Sequence, residues 1–211
     1  MIDLEKDIQY VKGIGPKKAT KLNKLHIFTL RDLLYYFPRQ FEDRNNLKKI
    51  MQLENNEKAT IKVIIVGVSA SSPRKGMDIT KVDVRDETGY AKLVFFNQPY
   101  VKNTFKRGDT ILVFGKIKKE FKNIELNSCE VEYLTNSPKN TCKVMPIYPL
   151  TYGITNKEII SIIKTVLADK ELKIKEYLPQ RIIEKYHLCS IDYAVRNIHA
   201  PSSKEALKIA L

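Results

Sequence analysis

Residues 57–135 carry the pattern that most restricts what this chain can fold into. Five segments rich in β-branched and aromatic residues follow one another: ATIKVIIVGVSA from Ala59, then Ile79–Val84, Tyr90–Phe96, Thr110–Ile117 and Ile124–Tyr133. Turn residues separate them at Pro73/Gly76, Asp86–Gly89, Gly108-Asp109 and Lys122-Asn123. Side chains alternate across a strand, so each segment offers one apolar row to a shared interior and one row to water. Between the third and fourth segments lies FNQPYVKNTFKRGD, where Val101 and Phe105 stand four apart and predict a short helix.

Five strands with a helix between the third and fourth is the order of an OB-fold barrel. The fold class expected is therefore mixed α+β, a five-stranded OB-fold β-barrel over residues 57–135 flanked by helices. Residues 1–56 read as an N-terminal helical hairpin, because KKATKLNKLHIFTLRDLLYYF places Ala19, Leu22, Leu25, Leu30, Leu33, Leu34 and Phe37 at helix-like spacings in two short helices. Thr29 suits the N-cap of its second helix and Pro38 its stop. Residues 136–155 contain three prolines in NSPKNTCKVMPIYPL and read as a linker. Residues 156–211 read as a helical segment, with helices over Asn156–Leu167, Lys175–Tyr186 and Ile191–Asn197 and another beginning within HAPSSKEALKIAL.

Several function classes are excluded by what is missing. The longest apolar run, Val63–Ala70, is broken by Gly67 and Ser69 and falls far short of the ~20 residues a bilayer requires. The N-terminus MIDLEKDIQY has no apolar core of a secretory leader. The expectation is a cytoplasmic monomer with no membrane partner. Cys129, Cys142 and Cys189 include no CxxC pair, and His26, His187 and His199 are far apart, so neither a disulfide framework nor a metal site is read. No GxxxxGK[ST], GxSxG or HExxH motif occurs. The chain is therefore expected to hold no cofactor and to have no enzymatic activity of its own. Its charge points to a polyanion instead: 37 Lys+Arg against 24 Asp+Glu give a net +13. The excess is spread along all three segments, so an anion-binding groove has to be built by folding.

Three groups of residues are candidates for that groove. In VKGIGPKKA, Gly13 and Gly15 open a helix at Pro16 while Lys17 and Lys18 add charge, which resembles the backbone-binding turn of a helix-hairpin-helix motif. Equally, the glycines close a tight turn and the lysines are a solvated face. On the barrel, Arg74 and Lys75 follow the first strand, and Lys116, Lys118, Lys119 and Lys122 surround the turn whose tip is Phe121. These loops flank the binding face of an OB barrel. Lys92 and Lys102 join the group by position. The third group is in LVFFNQPYVKNTF, where Phe96 and Tyr100 stand four apart on a strand-to-helix corner. Two rings presented there would replace the lost stacking neighbour of a terminal base pair at a DNA branch. The alternative places one of Phe95 and Phe96 in the core and packs Tyr100 under the helix.

VKGIGPKKATKLNKLHIFTLRDLLYYFPRQFEDR, VRDETGYAKLVFFNQPYVKNTFKRGD, YPLTYGIT and LPQRIIEKYHLCSIDYAVRNIHAP occur in this order, and over nearly the whole chain the sequence resembles the N-terminal part of the RecG family of bacterial branched-DNA helicases. The resemblance implies a wedge region placed ahead of two motor domains, in a superfamily 2 helicase that remodels stalled forks and Holliday junctions. It also implies that ATP and Mg belong to the parent's motor domains, and that the partners of this chain are branched DNA and those domains. By motif it assigns base stacking to Phe96 and Tyr100. One departure is that some members carry a long helical extension ahead of the wedge, whereas this chain starts almost at the hairpin. Two other readings stand beside it: a general single-stranded DNA or RNA-binding OB-fold module, and a protein-docking domain with an incidental basic surface.

Overall fold

The computed structural model describes residues 3–121, 123–134 and 143–211. In chain order its strands are β1 (Gln40–Asp43), β2 (Leu47–Lys48), β3 (Lys58–Arg74), β4 (Met77–Arg85), β5 (Tyr90–Phe96), β6 (Thr110–Glu120), β7 (Asn123–Tyr133) and β8 (Val144–Ile147). Its helices are α1 (Pro16–Asn23), α2 (Leu30–Leu34), α3 (Val101–Thr104), α4 (Asn156–Leu167), α5 (Gln180–Tyr186), α6 (Ile191–His199) and α7 (Lys204–Ala210). They form two compact units, one from residues 43–143 and the other from the segments on either side.

The first unit is the predicted set of five strands, β3 to β7, with α3 between the third and fourth. β3 is long enough to serve two neighbours. Lys58 to Ile64 pair with β6, and Ile64 to Arg74 pair with β4, with an irregularity between Ile65 and Gly67 where the strand changes partner. The remaining pairings run β4–β5, β5–β7 and β7–β6, so the ring of strands closes on itself and leaves no long unpaired edge. Alternation then sorts the side chains. Ile61, Val63 and Ile65 from β3, Val82 and Val84 from β4, Leu93 and Phe95 from β5, and Ile111 and Val113 from β6 fill one core. Each fully buried Ile or Leu there stabilises the fold by about 1.5–3 kcal/mol. On the outer side, the Arg44 guanidinium lies 4.0 Å over the Phe114 ring and 3.1 Å from Glu130.

The second unit corrects the sequence-based division. Residues 1–56 are not helical throughout: beyond Pro38 the chain extends into β1 and β2, and β1 pairs with β8, which lies inside the stretch expected to be a linker. The N-terminal helices share a single core with the C-terminal ones, in which Leu22, Leu33 and Leu34 are buried with Tyr148, Ile159 and Val195. Locally, α2 starts where expected. Thr29 Oγ1 accepts from the Asp32 amide at 3.1 Å while the Asp32 carboxylate accepts from the Thr29 amide at 2.9 Å, a reciprocal cap that satisfies two orphan donors. The helix expected from Lys175 begins only at Gln180, because Pro179 restricts the residue before it to extended conformations.

A column of rings fastens this unit. Tyr36 stacks on Tyr148 at 6.1 Å, Tyr148 on His199 at 5.9 Å, and Phe37 tilts against His199 at 5.8 Å. The Leu34 carbonyl can only accept, so His199 Nε2, 2.8 Å away, carries the proton and Nδ1 accepts from the Tyr148 hydroxyl at 2.7 Å.

Candidate nucleic-acid interface

The corner between β5 and α3 is built by alternation and one left-handed residue. Along β5, Ala91, Leu93 and Phe95 point into the core, so Tyr90, Lys92, Val94 and Phe96 belong to the outer row. Phe95 takes the core position, and Phe96 is left 48% exposed. At Asn97 the backbone turns to φ +52, which asparagine tolerates better than most residues. The Asn97 amide donates to the Asp78 carbonyl at 2.7 Å, and Asn97 Oδ1 accepts from the Asp78 amide at 3.0 Å. That exchange ends the β4–β5 ladder and lets Pro99 lead into α3. Val101, not Tyr100, packs under the helix. Tyr100 is 66% exposed, and its hydroxyl donates to Gln98 Oε1 at 2.8 Å.

The hairpin of β3 and β4 runs past this corner. Phe96 lies opposite Ile79, and the ribbon continues to the Arg74–Met77 pair, two residues along β4 and about 7 Å further at strand rise. Gly76 closes its tip at φ +81, a conformation that favours glycine. Arg74 and Lys75 are exposed at that tip, and Lys102 is exposed on α3. The corner and the ribbon together present two rings and three cations.

The other predicted lysines fall at the opposite end of the strands. Lys116 faces Lys58 across the β3–β6 ladder. Lys118 is 2.9 Å from Glu120, whose carboxylate hydrogen bond raises the lysine's pKa. Lys119 is structural: its Nζ donates to the Leu53 carbonyl at 2.8 Å and its amide donates to Asn55 Oδ1 at 3.0 Å. Lys92 is exposed on β5, level with Asp83 and Glu125. Phe121 is fully exposed in the β6–β7 turn, and Lys122 lies outside the described residues. Lys81 and Arg85 share the outer face with these groups, a placement that period-2 alternation along β4 was able to reveal.

In the helical unit, Gly13 sits at φ +85 and needs to be glycine, whereas Gly15 is an extended N-cap that any residue can adopt. Lys18 bends back to donate to the Gly13 carbonyl at 3.0 Å, closing the turn, while Lys17 is exposed. Among the described residues no group of three or more His, Cys, Asp or Glu is placed to hold a metal ion, and no helix is long and apolar enough to cross a membrane.

The family model described as the RecG wedge domain matches residues 7–169. The ATP-dependent DNA helicase RecG of Thermotoga maritima is 36% identical over 211 residues, a match covering 96% of this chain and 26% of that protein. The Streptococcus pneumoniae protein of the same name is 32% identical over 213 residues, covering 100% of this chain and 30% of that one. In structure, the chain superposes on RecG bound to a three-way DNA junction with a TM-score of 0.87 at 34% identity, over 100% of this chain and 29% of that one. The chain thus spans less than a third of the length of the relatives it matches.

Proposed function

The chain belongs to the RecG wedge-domain family, and from that premise we propose that it binds branched DNA and parts the duplex at the branch with Phe96 and Tyr100. The observation that carries the reading is the corner itself, where two large rings stand in solvent on a strand-to-helix turn while their neighbours Phe95 and Val101 fill the core. An exposed ring replaces the stacking partner that a base loses at a fork, an interaction of about 1–3 kcal/mol per base that is indifferent to sequence. Arg74, Lys75 and Lys102 supply phosphate contacts beside it, which set affinity and carry no sequence information. Lys92, Lys116 and Lys118 extend the positive surface along the strands. At the helical turn, Lys17 is the residue assigned to a phosphate, Gly13 shapes the turn and Lys18 holds it closed.

In longer proteins named as ATP-dependent DNA helicases, ATP and its metal would be handled outside this region, and the wedge would act on DNA driven against it by the motor. The test is fluorescence anisotropy with forked, linear duplex and single-stranded DNA. The expected result is tighter binding to forks than to plain duplex, lost in the Phe96→Ala/Tyr100→Ala double variant. Equal affinity for fork and duplex, unchanged by that double variant, overturns the reading. A preference for unbranched single strands, insensitive to Tyr100→Ala, would instead favour a general single-strand or RNA-binding module.

A further inference from the structure

The far end of β5 carries a second aromatic position that the wedge does not use. Tyr90 is 69% exposed and belongs to the same outward row as Phe96. It walls a cleft of about 340 Å³ on the outer face of the sheet. Val66 and Ile124 give that cleft apolar lining, and Asp83, Lys92 and Asn123 give it polar groups. The three differ in hydrogen-bonding character: a carboxylate that only accepts, an ammonium that only donates, and an amide that does both. An aromatic wall, an apolar lining and mixed polar groups match the flat face and the donor–acceptor edge of a nucleobase. Lysine and arginine side chains lie around it on the same face, with Lys92 beside the cleft, Arg85 paired with Tyr90 across the ladder, and Lys116 and Lys118 on β6.

We propose that this cleft is a nucleobase subsite for the single strand that leaves the junction, with the base stacked on Tyr90 and its phosphates tracked by Lys92, Lys116 and Lys118. The proposal rests on the wedge reading, because it needs a strand already parted at Phe96. Its geometry fixes a length. Six residues of strand separate Phe96 from Tyr90, about 20 Å at the β-strand rise. A strand released at Phe96 covers that span in about six nucleotides at the B-form rise, and in fewer if it is stretched. Two bases on one strand are then held at the two ends of the same row, with Lys92 beside the phosphates between them.

Forks with one single-stranded arm of about two or about ten nucleotides separate this subsite from the wedge. With the full 211-residue chain, the longer arm is expected to tighten binding roughly five- to a hundredfold, the range of one added stacked base. Tyr90→Ala removes that gain and Tyr90→Phe keeps it. Phe96→Ala/Tyr100→Ala removes the preference of a short-armed fork over duplex. A 2-aminopurine walked along the arm of the wild-type complex should be quenched at a position three to six nucleotides from the branch (about 20 Å), and this quench should vanish in Tyr90→Ala. A gain from arm length that survives Tyr90→Ala, or quenching confined to the base at the branch, overturns the subsite. Equal affinity of the wild type for short-armed fork and duplex, unchanged by Phe96→Ala/Tyr100→Ala, with the arm-length gain present in wild type and absent in Tyr90→Ala, leaves the subsite standing and overturns the wedge.

Discussion

Asn97 and Asp78 hold each other twice, each backbone amide donating to the other residue, at 2.7 Å to a carbonyl in one direction and at 3.0 Å to a side-chain amide oxygen in the other. The exchange fixes the direction in which the chain leaves β5, and therefore where Tyr100 stands relative to Phe96. Asn97→Ala removes one bond and puts a Cβ-bearing residue without asparagine's tolerance at φ +52. The expected cost is about 1–2 kcal/mol in urea denaturation, together with a weakened preference for forks. Asn97→Gly, which accepts the backbone angle, should recover part of the stability.

Two adjacent phenylalanines should respond in opposite ways. Phe95 is buried and its ring lies 6.1 Å from that of Phe105, so Phe95→Ala should destabilise the fold by about 3–5 kcal/mol. Phe96→Ala removes a ring already half in water and should change stability by no more than about 0.5 kcal/mol. Chemical denaturation of the two variants, read beside their DNA affinities, separates a folding defect from a binding defect.

Positive charge should divide in the same way. If the chain neutralises about six phosphates, affinity should fall about a thousandfold between 50 and 200 mM salt. Arg74→Ala/Lys75→Ala should lower the slope of log affinity against log salt by about two and weaken fork and duplex alike. Lys119→Ala should leave the slope unchanged and instead lower stability by about 1 kcal/mol, because its ammonium is spent on the Leu53 carbonyl.

His199 gives a prediction in pH. Burial holds its pKa below the ordinary histidine value, against the opposing pull of its bond to the Leu34 carbonyl. The unfolded chain therefore takes up the proton first as pH falls. Stability from this group is complete above about pH 6.5 and is lost as pH drops from there towards the folded value, with a slope of at most about 1.4 kcal/mol per pH unit. Thermal melts of wild type and His199→Gln between pH 5 and 8 (about 1.4 kcal/mol per unit at most) check this. The variant should be less stable at neutral pH and flatter below it.

The barrel was legible because its rule is local. Alternation along Ala59–Ala70 and Tyr90–Phe96 and the turn residues between strands say where each segment begins and which side chains face inward. The cap at Thr29 was equally local. What sequence reasoning missed depended on partners distant along the chain. Tyr148 sits in a proline-rich stretch, yet it is completely buried because His199 and Tyr36 close over it. Lys119 looked like part of a basic turn, but Leu53 and Asn55 claim both its ammonium and its amide. Lys18 is drawn back to Gly13 by a hydrogen bond that its spacing alone did not reveal. A single aromatic at the start of a strand reads as ordinary, and only the cleft beside Tyr90 sets it apart.

The Arg39 backbone amide donates to the carbonyl of Ile147 at 2.9 Å, beside the short ladder of β1 and β8. The polypeptide thus departs from the helical unit and comes home to it through neighbouring threads of one tiny ribbon, with residues 43–143 inserted in the chain between them. Such a module is a cassette: its surface can be rewritten, lengthened or exchanged by evolution or by an engineer while the host that carries it keeps its own core untouched.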